Sequence, residues 1–209
     1  MNEQILNDLR KAYNREVNER DRKEVSAWKH RERQRFLSLL RADGKRRLLD
    51  VGAGTGAHGK FFQDHNMDVV CTDLSYENVR RCCSKGLTAC VMDFLHVGFS
   101  EKTFDAVFAL NCLLHVPRLD LPRVLESLRY ILVTEGFFYW GQYGGFEREG
   151  PWPDDHYDPK RFFSLLTDDQ MRNISKRYFE VISFDIITLE NEGDLHFQSM
   201  FLKKIGFGA

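Results

Sequence analysis

The stretch LLDVGAGTGAHG, Leu48 to Gly59, decides the fold. Two apolar residues and an acid run into Gly52, Gly54 and Gly56. That spacing lets a backbone turn sharply and approach a ligand, because glycine tolerates positive φ and carries no side chain to hold a ligand off. The reading is a buried strand ending at Val51, a glycine turn, and a helix from Ala57 that carries Phe61 and Phe62 inward. Such a corner belongs to an α/β sheet, whose ligands sit beyond the carboxyl ends of the strands.

A glycine turn does not name its ligand. Asp73 closes the next apolar run about 20 residues on, where a ribose-binding carboxylate is expected, and this suits NAD or S-adenosylmethionine. Asp50 separates them. An acid just before the turn opposes a pyrophosphate, which favours a helix N-terminus free of anions. S-adenosylmethionine has no phosphate and is a net cation, which Asp50, Asp73 and Asp93 would suit. The cofactor expected is therefore S-adenosyl-L-methionine.

Four segments in order, LLDVGAGTG (48–56), TDLS (72–75), VMDF (91–94) and FDAVFALNCLLH (104–115), resemble the successive cofactor motifs of class I S-adenosylmethionine-dependent methyltransferases of the small-molecule type. The resemblance implies a Rossmann-like α/β domain, a mostly parallel seven-stranded sheet with an antiparallel last strand and helices on both faces. It implies that Gly52, Gly54 and Gly56 flank the methionine portion and that Asp73 binds the ribose hydroxyls. Leu74 would pack on the adenine, Met92 and Asp93 would flank it, and Asn111 would meet the methionine amine.

The 209 residues suit a single domain, 1–209, and no apolar run is long enough to span a membrane. The start, MNEQILNDLRK, lacks the apolar core of a secretory signal, so a cytoplasmic location is expected. Five cysteines without a CxxC pair suggest neither a zinc site nor a disulfide framework, and no metal is expected. The first 47 residues carry about 14 Lys and Arg against 8 acids, but interleaved as on a solvated helix face, which argues against nucleic acid. Oligomeric state is not legible.

In chain order, helices are expected at 3–17 and 24–41, an N-terminal cap over 1–43 with Tyr13 and Trp28 as candidate ligand contacts. Strands follow at 48–51, 68–72, 88–91, 104–110 and 137–143, with helices between them. Thr167 and Gln170 form a capping box for a helix over 168–176. Strands 178–188 and 195–203, with Gly193 at their turn, make a closing hairpin. The segment 144–160, GGFEREGPWPDDHYDPK, reads as an active-site lid loop.

Methyl transfer from a sulfonium needs alignment and exclusion of water, and for some acceptors a base. The candidate catalytic residues are His115, just past the fourth strand, His156 in the lid, and Tyr143. His196 is a weaker candidate. The acidic, aromatic lid points to a small, partly apolar acceptor, and to one with positive charge. The competing readings are an NAD-dependent oxidoreductase and a non-catalytic S-adenosylmethionine-binding interaction protein.

Overall fold

The computed structural model describes residues 2–189 and 195–206. Helices α1 (Glu3–Arg15), α2 (Val17–Arg22) and α3 (Ala27–Ala42) precede a sheet built from β1 (Arg47–Val51), β2 (Asp68–Asp73), β3 (Thr88–Val91), β4 (Phe104–Leu110) and β5 (Leu132–Gly144). Between these strands run α4 (Ala57–Asp64), α5 (Tyr76–Ser84), a 3₁₀ turn at Leu113–His115 and α6 (Leu121–Ile131). A hairpin of β6 (Arg148–Pro151) and β7 (Phe162–Leu165) comes next, then α7 (Asp168–Ser175), β8 (Glu180–Thr188) and β9 (His196–Lys203).

The main sheet has seven strands in the order β3-β2-β1-β4-β5-β9-β8, and only β9 runs antiparallel to its neighbours. Helical crossovers force parallel pairing of β1 to β5, and the order reverses between β1 and β4, which opens a crevice at the strand ends.

The strand period of two divides the core. Leu49, Val107, Phe138, Trp140 and Leu202 face α6 and α7. Leu48, Phe108, Tyr139 and Phe201 face the other way, against Phe36 and Leu40 of α3 and Phe62 of α4. Asp50 shares the second face with Leu48 and Phe108, so its side chain points at α4.

Three expectations need correction. The break expected at 18–23 is helix α2, which has no apolar stripe to announce it. Tertiary ion pairs hold it instead, with Asp21 bound to Arg81 at 3.1 Å and Lys85 at 2.5 Å. The lid loop over 144–160 contains β6, and pairing with β7 turns the region into an ordered hairpin. Its Glu149 accepts the Arg118 N–H at 2.8 Å, and its Glu147 accepts from the Arg118 guanidinium and from Gln170. Strand β5 begins at Leu132, directly after α6, rather than at 137. The turn at Gly193 lies outside the described residues. The capping box at Thr167 and Gln170 is present.

Candidate active site

Gly52 and Gly54 turn the chain at φ +63° and +55°, and Gly56 opens α4 at φ +83°. Gly52 and Gly56 are closed to larger residues. A Cβ on Gly52 would overlap the Cβ of Cys112, and one on Gly56 would lie 2.7 Å from Leu87 Cδ1. Behind the turn Asp50 accepts the Gly59 N–H, while burial pushes its carboxyl up to about 8.

Above the turn is a cavity of about 350 Å³ at the carboxyl ends of β1, β2 and β4. Its floor is Gly52, Gly54, Asp73 and Leu74, and its walls include Phe94, Asn111, His115 and Tyr143. Asp50, Gly56, Met92, Asp93 and His156 do not line it. Asp93 accepts the N–H groups of Leu95 and His96, at 2.8 and 2.9 Å, and so shapes the loop that presents Phe94. The His156 side chain is 63% exposed. His196 binds Asp168 at 2.8 Å and ties β9 to α7.

Asp73 is held by the N–H groups of Gly54 and Ser75, each at 2.8 Å, and by Asn78 Nδ2 at 3.1 Å. Burial nevertheless raises its pKa above the usual carboxylate value. Asn111 has a left-handed backbone, φ +55°, stabilised by its N–H donating to Gly141 O at 2.7 Å. Its Oδ1 is buried and has no partner among the described residues. An acceptor-only oxygen left so at a cavity wall is fitted to a donor from a ligand.

The far wall comes from the N-terminal helices and the hairpin. Helix α1 is fastened to the sheet by Asn14 Oδ1, which accepts from Ser75 Oγ at 2.6 Å and Glu77 N at 3.2 Å. Tyr13 thereby reaches His115, with its hydroxyl 2.5 Å from Nε2. His115 Nδ1 lies 2.6 Å from the Phe162 carbonyl of β7. A carbonyl only accepts, so Nδ1 carries the proton and Nε2 accepts from the Tyr13 hydroxyl. Burial drives the His115 pKa down to about 3, leaving the ring neutral.

Sequence reasoning missed the basic residues of this wall. Arg20, Lys29 and Arg161 all line the cavity, as does His58. Arg20 and Lys29 read as part of a solvated arm, and only the helix packing turns them inward. Trp28 does not line the cavity and packs on Phe197 with ring centroids 4.3 Å apart.

Residues 48–136 match the family described as a methyltransferase domain. The chain is 30% identical over 145 residues to the malonyl-acyl-carrier-protein O-methyltransferase of Geobacter sulfurreducens, covering 65% of this chain and 53% of that one. It is 30% identical over 111 residues to the demethylmenaquinone methyltransferase of Thermobifida fusca, covering 50% and 46%. The chain thus spans about half the length of these curated relatives. A Burkholderia thailandensis 1,6-didemethyltoxoflavin-N1-methyltransferase, crystallised with S-adenosylhomocysteine, superposes with a TM-score of 0.73 at 17% identity. That match covers 97% of this chain and 90% of that one. Residues 48–136 thus resemble a methyltransferase domain in sequence, and the chain as a whole shares the fold of solved methyltransferases.

Proposed function

We propose that the chain transfers a methyl group from S-adenosylmethionine to a small-molecule acceptor by in-line displacement. The observation that carries this reading is the position of the Tyr13–His115 pair, across one cavity from the glycine turn, Asp73 and Asn111. The lining fits the cofactor: the Asn111 oxygen lacks a donor, and Gly52 and Gly54 put no side chain into the cavity. When bound, S-adenosylmethionine supplies an already activated methyl group.

Asp73 would accept from the ribose hydroxyls, Leu74 and Phe94 would border the adenine, and Asn111 Oδ1 would accept from the methionine ammonium. The remaining task is alignment, which by itself supplies on the order of 7 kcal/mol in favourable cases. With its proton given to His115, the Tyr13 oxygen keeps lone pairs for an N–H or O–H of the acceptor. His115 so held is a positioning residue, and its low pKa suits an acceptor that arrives deprotonated. Residues 144–165 exclude water as a fixed wall.

Isothermal titration with S-adenosylhomocysteine and with NAD tests the cofactor, and micromolar binding of the first alone is expected. Asp73→Ala removes charge-assisted hydrogen bonds worth about 1.5 to 3 kcal/mol each, so affinity should fall at least tenfold. Incubating a cell extract with a deuterated methyl donor, followed by mass spectrometry, then tests turnover. Binding of NAD instead, or no labelled product in any extract, would overturn the proposal.

A further inference from the structure

We infer that the acceptor carries an oxyanion, a carboxylate or a phosphate ester, seated between the guanidinium groups of Arg20 and Arg161 beside the Tyr13 hydroxyl. This rests on the methyltransferase reading and names the substrate class of that site.

Three observations carry it. The first is charge. Arg20, Lys23, Lys29 and Arg161 line the cavity with Glu24 and Asp73, and Asp73 already accepts three N–H bonds. Arg161 is paired with Asp155 and Lys23 with Glu19, which leaves Arg20 and Lys29 as the lining cations outside ion pairs. Neither Arg20 nor Lys29 has an ion pair among the described residues, and Arg20 Nε is buried without a partner. Burial and the Arg20 charge both lower the Lys29 pKa.

The second is geometry. Asp155, its side chain 2% exposed, accepts from Arg161 Nε and Nη2 at 2.9 and 2.8 Å. That bidentate grip fixes the guanidinium plane, and Nη1 donates to the Tyr13 oxygen at 3.4 Å with its second hydrogen left over. Arg20 Nη1 lies 3.2 Å from the Tyr157 hydroxyl, and its guanidinium carbon lies 4.8 Å from the Tyr13 ring centre. Both guanidinium groups therefore lie against the Tyr13 ring, that of Arg161 at 5.6 Å from its centre.

The third is the cofactor itself. A sulfonium, an ammonium and one carboxylate give S-adenosylmethionine a net positive charge, so its binding makes the cavity more positive. A second ligand in the same low-dielectric space is favoured if it is an anion. The acids of 144–160 do not reverse this. Asp155 is spent on Arg161, Asp158 on Arg15, and Glu147 and Glu149 on Arg118, while Asp154 does not line the cavity. The positively charged acceptor suggested by the sequence of that segment is therefore replaced by an anionic one.

The test titrates inorganic phosphate, benzoate and neutral benzamide into protein saturated with S-adenosylhomocysteine. At least one anion should bind ten or more times tighter than benzamide, phosphate indicating a phosphate ester and benzoate a carboxylate. Removing the ion pair as a unit, Arg161→Gln with Asp155→Asn, should weaken the anion at least tenfold and S-adenosylhomocysteine less than threefold. If that variant fails to fold, Arg20→Gln, which orphans no carboxylate, supplies the same readout for the anion. Equal binding of benzamide and both anions overturns the inference. So does loss of S-adenosylhomocysteine with anion binding intact, which would give the cations to the cofactor's own carboxylate. Parent protein that binds no S-adenosylhomocysteine overturns the methyltransferase reading and this inference with it.

Discussion

The two walls of the cavity are built on opposite principles. The glycine-turn wall is local and backbone-made, with Gly52 and Gly54 within one turn and Asp73 at the end of the adjacent strand. The cap wall is assembled from side chains far apart in the chain: Tyr13 and Arg20 from α1 and α2, His115 after β4, and Arg161 at the foot of β7. One wall leaves a motif in the sequence. The other leaves scattered residues that mean nothing until the fold joins them.

The sharpest way to break the first wall is Gly52→Val. A β-branched residue at φ +63° that also overlaps Cys112 should cost about 2 to 4 kcal/mol of stability. S-adenosylhomocysteine binding should vanish, as read by calorimetry beside a thermal melt. Retained binding would mean that close backbone approach is not what this wall supplies.

This contrast decides what could be read in advance. The placement of Gly52, Gly54, Asp73, Leu74 and Asn111 at the cavity was legible because it follows from backbone conformation and strand ends. The same segment misled at Asp50, because adjacency to the turn is not orientation. Strand alternation puts Asp50 on the face of Leu48 and Phe108, toward Gly59. In the cap, charge alone could not distinguish Asp155, locked on Arg161, from an acid offered to a substrate. Helix α2 stayed hidden because ion pairs across to α5, not apolar periodicity, hold it.

The cap wall can be broken with less damage to the fold. His115→Ala should lower turnover about 10²-fold by freeing Tyr13 from its position, while S-adenosylhomocysteine affinity moves less than threefold. Tyr13→Phe should cost a similar amount, and the double variant little more than either, because the two act as a unit. Additive losses in steady-state rates would show that the pair does not work as one.

A smaller, pH-dependent effect sharpens the reassignment of Asp50. Its folded pKa of about 8 lies above the unfolded value near 4, so between those limits the folded state holds a proton that the unfolded state lacks. Stability therefore falls as pH rises through that window and levels off above it. Asp50→Asn keeps an oxygen for the Gly59 N–H and removes the titration. Relative to the parent, it should gain about 1 to 4 kcal/mol between pH 5 and pH 8, read from urea midpoints. An unchanged difference would mean that Asp50 is ionised in the folded protein.

The smallest effect belongs to Arg15→Ala. Its pair with Asp158 is 57% and 90% exposed, so the loss should stay within about 0.5 kcal/mol in a chemical melt. A larger loss would move the fastening of α1 from Asn14 and Ser75 to this surface pair.

Strand β9 is translated after both of its neighbours, yet it lies between them in the sheet. During biosynthesis β5 therefore presents a bare edge, and β8 has no place to dock, until residues 196–203 have emerged. Vectorial synthesis thus leaves the sheet open beyond β5 until that strand arrives. Ribosomes that stall before this strand release chains with two unpaired edges, the kind of surface that self-associates or recruits chaperones. Quality control would read the absence of one eight-residue segment as failure of the entire domain.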